Sequence, residues 1–317
     1  MKRILTGLVI LAASTGIVLV GLRLAFTPAG DRANPYPYDV QQFKSVATNL
    51  MRYAEQGRIA VTGMALRALA LGADGTVYAA GEALVACGQD GRALRRFALP
   101  AQATCLTEDK GMLYIGLGDR IEVYDATGAL LRAYASLGSN AVLTSVAVSG
   151  DDVFAADAGN REVVHYDTGG ALLGRITGKD AVHGSAGFII PSPYFDVAIA
   201  RDNTLWIVNP GAHRFEQYAF DGRLLRQWQR AGIGTEDFCG CCNPTHIAIM
   251  PDGSFVTSEK GIVRVKIVSA AGDLLSVVAA PEQFADGDAG LDLAVDADGK
   301  VYVLDPAAQA VRIFAKK

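Results

Sequence analysis

Positive charge is not in surplus in this 317-residue chain: 29 Lys and Arg stand against 33 Asp and Glu, a formal net charge of -4. No run of Lys or Arg interleaves with aromatics, so the sequence lacks the electrostatic footprint that phosphate backbones require, and nucleic acid is not an expected partner. No Gly-rich phosphate cradle, no haem C-x-x-C-H and no Ser-His-Asp set with a recognisable local motif occurs. Long helical periodicity is missing outside the N-terminus and residues 40–56, which excludes helical repeats. Histidine and cysteine are scarce, at four and five residues, yet three cysteines and one histidine crowd into "DFCGCCNPTH", residues 237–246.

The N-terminus offers what the rest lacks, a long apolar run. Lys2 and Arg3 precede an uncharged stretch from Ile4 interrupted only by Arg23 before Phe26. At 1.5 Å per residue it is long enough for a bilayer core of about 30 Å. A cleaved signal peptide would carry a shorter apolar region and a small-x-small site, and "TPA" at 27–29 matches that poorly. Residues 1–26 therefore read as a signal anchor, a transmembrane helix whose early Lys2 and Arg3 stay cytoplasmic. The remaining chain is expected at the periplasmic or extracellular face, where thiols can oxidise. Residues 27–56 read as a linker with a possible short helix in "VQQFKSVATNLMRYAEQ".

Beyond the linker one phrase recurs: an alternating apolar strand, a turn, and a second strand rich in Val, Tyr and Ile. It appears at 66–81, 103–116, 143–157, 195–209, 245–259 and 291–305, ending in "LDLAVDADGKVYVLD". All copies but the last run on through two further strands, with D-G or G-G pairs marking tight hairpins. Four antiparallel strands at this spacing make a propeller blade. The sixth copy stops after three strands, so "GRIAVTG" (57–63) is expected to supply its outer strand and leave no open edge. The fold expectation is an all-β six-bladed β-propeller over 57–317, preceded by the transmembrane helix.

"DAGNREVVHYDTGGALLGRI" (157–176) and "NPGAHRFEQYAFDGRLLRQW" (209–228) resemble NHL repeats, with their D-x-G-N-x-R phrase, short strand and D/G turn. The third and fourth copies carry the resemblance best; the first, second and sixth keep strands and turns but lose the Asn/His-Arg pair. The resemblance implies the propeller and leaves function open, since such propellers bind protein, RNA or small ligands, or act as enzymes.

Aligning the six copies places Ala68, Thr104, Ser145, Asp196, His246 and Asp292 on the innermost strands at the channel, with Val197, Ile247 and Leu293 turned between blades. Three consecutive blades thus offer Asp196, His246 and Asp292. Such residues are either wet polar groups at a channel mouth or ligands for one divalent metal ion. Peptide-amidating lyases, which are similar propellers, hold zinc through channel histidines, and gluconolactonase-like propellers hold a divalent ion with carboxylates and Asn. Only His246 matches the lyase pattern here, so a carboxylate-rich site for a harder ion is what the resemblance implies.

The cysteines allow four readings. Cys239 and Cys242 have C-x-x-C spacing without the usual strand-to-helix context. Cys241 and Cys242 can form a vicinal ring, as in quinoprotein dehydrogenase propellers. Cys239, Cys241 and Cys242 with His246 can hold a soft ion or part of an iron-sulfur cluster. A structural disulfide can simply pin the loop. Cys87 and Cys105 sit in strand patterns and are expected in the core. His165 and His213, on third strands, are expected to be inert. His183 lies in the long connection 178–195, which, with Tyr194 and Phe195, can cover a mouth and shape a ligand pocket. In "TSEKGIVRVKIV" (257–268), Glu259, Lys260, Arg264 and Lys266 read either as a solvated face or as an anion-binding wall, with Arg264 the candidate ligand residue.

Three functions follow as expectations. The leading one is a membrane-anchored module that binds a protein partner or small-molecule ligand at the membrane surface. Its rival is a lyase or hydrolase with an axial ion on Asp196, His246 and Asp292. The third is a redox or metal-handling accessory built on the cysteines.

Overall fold

Period-two alternation decides how each strand is shared. In Asp152–Asp157, Val153 and Ala155 enter one buried cluster with Tyr114 and Val123, while Phe154 and Ala156 enter another with Val197 and Ile207. A strand apolar on both faces must be covered on both sides, and a ring of stacked sheets does so without an end. In the computed structural model, which describes residues 43–182, 184–285 and 287–317, six four-stranded antiparallel sheets form that ring.

Blade I comprises Ala68–Leu71, Val77–Ala80, Ala83–Cys87 and Ala93–Ala98. Blade II comprises Cys105–Asp109, Met112–Gly116, Ile121–Asp125 and Leu130–Ala133. Blade III runs Leu143–Ser149, Asp152–Asp157, Glu162–Asp167 and Leu172–Ile176. Blade IV runs Val197–Ile199, Leu205–Asn209, Arg214–Tyr218 and Leu224–Gln229. Blade V runs His246–Ile249, Phe255–Glu259, Arg264–Val268 and Leu274–Ala279. Blade VI takes Leu293–Val295, Val301–Asp305 and Ala310–Lys316, and its outer strand is Tyr53–Ala60 from the other end of the chain. Each inner strand packs on the next, and that of blade VI packs on blade I.

Six apolar clusters lie between successive blades, so the core is a set of wedges around the axis. Inner hairpins are set by their aspartates. Asp74 Oδ1 accepts the Thr76 amide at 2.9 Å and Asp252 Oδ1 the Ser254 amide at 2.9 Å, each beside a glycine at left-handed φ, Gly75 and Gly253. An L side chain at that φ would be strained.

The closing strand pairs from Tyr53 with Lys316 to Ala60 with Ala310, bulging at Gln56. It starts four residues before the sequence pattern suggested. The helix expected within 40–56 is not formed among the described residues, where the 3-10 turn Thr48–Leu50 leads into the closing strand. Tertiary pairing overrides local propensity: Tyr53 buries in the cluster with Phe314, and Glu55 pairs with Arg312 at 2.7 Å. The expected anchor at 1–26 lies outside the described residues. Among those described, no helix is long and apolar enough to cross a membrane.

Candidate functional site at the propeller axis

Inner strands bring polar side chains to the axis, and each of those in blades III to VI reaches forward to the next blade. Ser145 Oγ accepts the Val197 amide and donates to the Val197 carbonyl, both at 3.3 Å. Asp196 Oδ2 accepts the Ile247 amide at 2.6 Å, and its Oδ1 accepts the Val197 amide at 2.9 Å. Asp292 Oδ2 accepts the Leu69 amide of blade I at 2.7 Å, and its Oδ1 accepts the Leu293 amide at 2.8 Å. His246 closes the series, with Nδ1 at 3.6 Å from both Asp196 Oδ2 and Asp292 Oδ1. The three residues aligned from the sequence therefore do meet.

Their chemistry follows from burial and mutual charge. Burial pushes the Asp292 carboxyl up to about 6, although His246 pulls it back. For His246, burial alone would lower the imidazole, but the adjacent Asp196 and Asp292 carboxylates outweigh it and the net shift is upward. Two anions thus favour the imidazolium over the neutral ring. Each of the four carboxylate oxygens already accepts one backbone amide, which fixes the orientation of both carboxylates. Among the described residues no group of three or more His, Cys, Asp or Glu side chains is arranged to hold a metal.

The triad divides the channel. On the side of the strand starts lies a cavity of about 280 Å³ lined by Arg67, Gln102, Thr104, Thr144, Tyr194 and His246. On the other side a second cavity of about 280 Å³ receives Asp196 and Asp292. Histidine faces one mouth and the carboxylates the other. A larger hollow of about 630 Å³ lies among the hairpins, but its Asp74 and Asp296 are engaged in capping their own turns.

Arg67 makes no side-chain hydrogen bond or ion pair among the described residues, and neither does His246 Nε2. Tyr194 stands edge-on to His246 at 6.1 Å between ring centroids. Lys260 Nζ lies over the Tyr194 ring, 5.0 Å from its centroid, and donates to Ser192 Oγ at 2.9 Å. Arg67 was missed from the sequence. It precedes the axial position of blade I by one residue, so extending the blade alignment one step upstream would have found it.

The cysteine loop meets the segment that carries Tyr194 at Ser192. Cys241 is exposed and Cys242 buried, and the Cys242 thiol points at Cys241 Sγ with 3.2 Å between the sulfurs. No disulfide is formed, since a bond requires about 2.05 Å. Burial raises the Cys242 thiol, while the Ser192 hydroxyl, donating to its sulfur at 2.8 Å, works the other way. Cys239 is half-buried and is likewise raised by burial. Asn243 staples the loop to the neighbouring turn: its Nδ2 donates to Cys239 O at 2.6 Å and Lys260 O at 2.9 Å, and its Oδ1 accepts the Lys260 amide at 2.9 Å.

Other expectations need correction. Arg264 forms no anion-binding wall and no solvated face: its side chain and those of Glu259 and Lys266 have 0% exposure. The reason is that residues 234–238 fold back over the strand, so that Arg264 Nη2 donates to Gly234 O and Asp237 O, both at 3.0 Å. Phe195 is core, 5.0 Å from Phe188, and does not shape a pocket. His183 lies outside the described residues. Cys87 and Cys105 are buried in inter-blade clusters. His165 pairs with Asp152 at 2.6 Å, and His213, just before its strand, contacts the Asn243 carbonyl at 3.1 Å.

Among solved structures the chain is similar to a streptogramin B lyase, with a TM-score of 0.59, 10% identity, and coverage of 84% of this chain and 99% of that one. Virginiamycin B lyase from Staphylococcus aureus gives 0.59 at 12% identity, covering 84% and 100%. The WD40 propeller domain of Doa1 gives 0.56 at 16% identity, covering 80% and 79%. At these identities the likeness establishes the propeller fold alone. No protein-family description and no curated protein sequence matches this chain.

Proposed function

We propose that this protein is a binding module whose recognition site is the Arg67–Tyr194–His246 mouth, and that its ligand is a small organic anion carrying a carboxylate. The observation that carries this reading is a cavity into which two cations look, neither with another partner there among the described residues. The charged form of His246 is favoured from behind by Asp196 and Asp292. Its Nε2–H and the Arg67 guanidinium are donors without acceptors, the complement of a carboxylate. Tyr194 supplies an apolar wall. The apolar run at 4–26 would hold this disc at the outer face of a membrane, and the resemblance of 157–176 and 209–228 to NHL repeats supports reading it as an NHL-type propeller.

The test is nuclear magnetic resonance of the full chain with labelled histidine, titrated with benzoate and, separately, with benzylamine. Benzoate should shift the His246 ring signals saturably, and Arg67→Ala should weaken that response at least tenfold. No saturable shift, or an equal response to the amine, would overturn the reading.

A catalytic reading has one observation in its favour. A catalytically inactive histidine-to-alanine variant of the staphylococcal virginiamycin B lyase has been solved with quinupristin, at a TM-score of 0.57 and 12% identity to this chain. His246 is a mouth histidine carrying a proton and could serve acid-base chemistry in a lyase reaction. Turnover of quinupristin by this protein, lost in His246→Ala, would establish it.

A further inference from the structure

We propose that Cys241 and Cys242 are a reversible dithiol switch that closes to a vicinal disulfide by exchange with an oxidised low-molecular-weight disulfide, and that closure resets the Ser192–Tyr194 wall of the mouth. The first half stands on the cysteines alone; the second rests on the mouth being the binding site.

The sulfurs are 3.2 Å apart, one exposed and one buried, so a loop adjustment of about 1 Å brings them to bonding distance. Gly240 sits just before them at φ 80°, with Asn243 Nδ2 as the nearest atom to a would-be Cβ at 3.9 Å, which leaves room for that adjustment. Adjacent residues hold their Cα atoms about 3.8 Å apart, short of the usual disulfide span of about 4.4 Å or more, so the closed ring is strained and readily reduced. Strain of this kind suits a switch and not a staple.

The exchange runs in two displacements. The exposed Cys241 thiolate attacks one sulfur of oxidised glutathione, forming a mixed disulfide and releasing one glutathione thiolate, which takes up a proton. The Cys242 thiolate then attacks Cys241 Sγ, forming the vicinal bond and releasing the second glutathione thiol. Two protein thiols lose two protons and two electrons, and one glutathione disulfide becomes two thiols. The Ser192 hydroxyl donates to the Cys242 sulfur and accepts from Lys260, so a cation stands one hydroxyl away from the thiolate that performs the second step.

Closure propagates by loss of that acceptor. A disulfide sulfur is a poor acceptor, and the Ser192 hydroxyl is freed to turn. Lys260, which bridges Ser192 and the Tyr194 ring, loses one end of its bridge. Asn243 ties the cysteine loop to Lys260 through two backbone bonds, so the displacement of one is felt by the other.

The experiment incubates reduced full-length protein with oxidised glutathione, alkylates the remaining thiols under denaturing conditions and reads peptides by mass spectrometry. Two of the five thiols should become resistant to alkylation, with the peptide bearing Cys241 and Cys242 lighter by two hydrogens, and reduced glutathione should reverse it. Cys239→Ser should close normally, whereas Cys241→Ser and Cys242→Ser should not. The His246 ring signals should move on closure without added ligand, and Ser192→Ala should close yet leave them still. Five alkylated thiols, a bridge from Cys239, or glutathione left attached to Cys241 would each overturn the switch. Unmoved His246 signals on closure of the unsubstituted protein would overturn the coupling. A reduced protein that binds no benzoate, while the disulfide still forms, would instead fault the mouth reading.

Discussion

Glu259, Arg264 and Lys266 in blade V and Asp196, His246 and Asp292 at the axis are both three-member charged clusters withdrawn from water, with opposite balances. The blade V set has two cations to one anion and is sealed at 0% exposure. Its donors turn inward: Arg264 Nε meets Glu259 Oε1 at 2.6 Å, and Lys266 Nζ meets Thr235 O at 3.1 Å and Asp237 O at 2.5 Å above the Phe238 ring. The axial set has two anions to one cation and retains side-chain exposures of 8 to 18%. Its carboxylates are spent on neighbouring blades, and its one cation keeps a free donor at a mouth. A sealed cluster holds a loop down; a cluster left partly open offers something to a ligand.

The sharpest way to break this contrast is Glu259→Gln. It leaves Arg264 and Lys266 buried without a counter-charge, a situation that costs about 3–5 kcal/mol. Calorimetry should show a larger Tm loss than for Asp196→Leu or Asp292→Asn, with Cys239 becoming alkylatable in the native state. A loss under about 1 kcal/mol would mean that the carbonyls of residues 234–237 alone support the cations.

A smaller cost is expected at the axis. Asp196→Leu removes the acceptor of the Ile247 amide and should destabilise by about 1–3 kcal/mol, the penalty for a buried donor left unpaired. Urea unfolding monitored by circular dichroism measures it. A neutral outcome would show that water reaches the amide and that the blade-to-blade bond carries little.

The smallest effect is on protonation. His246, raised in the folded chain, should titrate above the 6.5 of a free imidazole when its ring signals are followed against pH, and Asp292→Asn should bring that midpoint down. The sign for stability is fixed by this direction: the contribution of His246 is complete below 6.5 and is lost as pH rises through the folded value. Asp292, with a folded value of about 6 against 3.8, adds a decline between those two values in the same direction. A midpoint unmoved by Asp292→Asn would place the control of His246 in Asp196 alone.

Much of the disc was legible because a repeat reports itself six times. Turn aspartates, alternation and the truncated sixth copy led to the blades and their closure, and alignment led to Asp196, His246 and Asp292. The failures have a common cause. Alternation in "TSEKGIVRVKIV" identifies two faces of a strand but cannot say what covers them, and here the loop after blade IV turned the charged face into an interior. Likewise Ser192 and Lys260 come from separated segments, so nothing local marks them as partners beside Tyr194. The spacing of Cys239, Cys241 and Cys242 allowed several pairings, and only the loop geometry singles out the adjacent one.

The seam in blade VI has a consequence for how the molecule is made. Its outer strand, Tyr53–Ala60, is synthesised before the other blades, yet its partner, Ala310–Lys316, follows all of them. Throughout synthesis the early strand waits unpaired, and five blades can assemble while the circle stays open. Closing such a sequence-distant contact is slow. Any tether attached upstream of Tyr53 pulls directly on the strand whose pairing closes the ring.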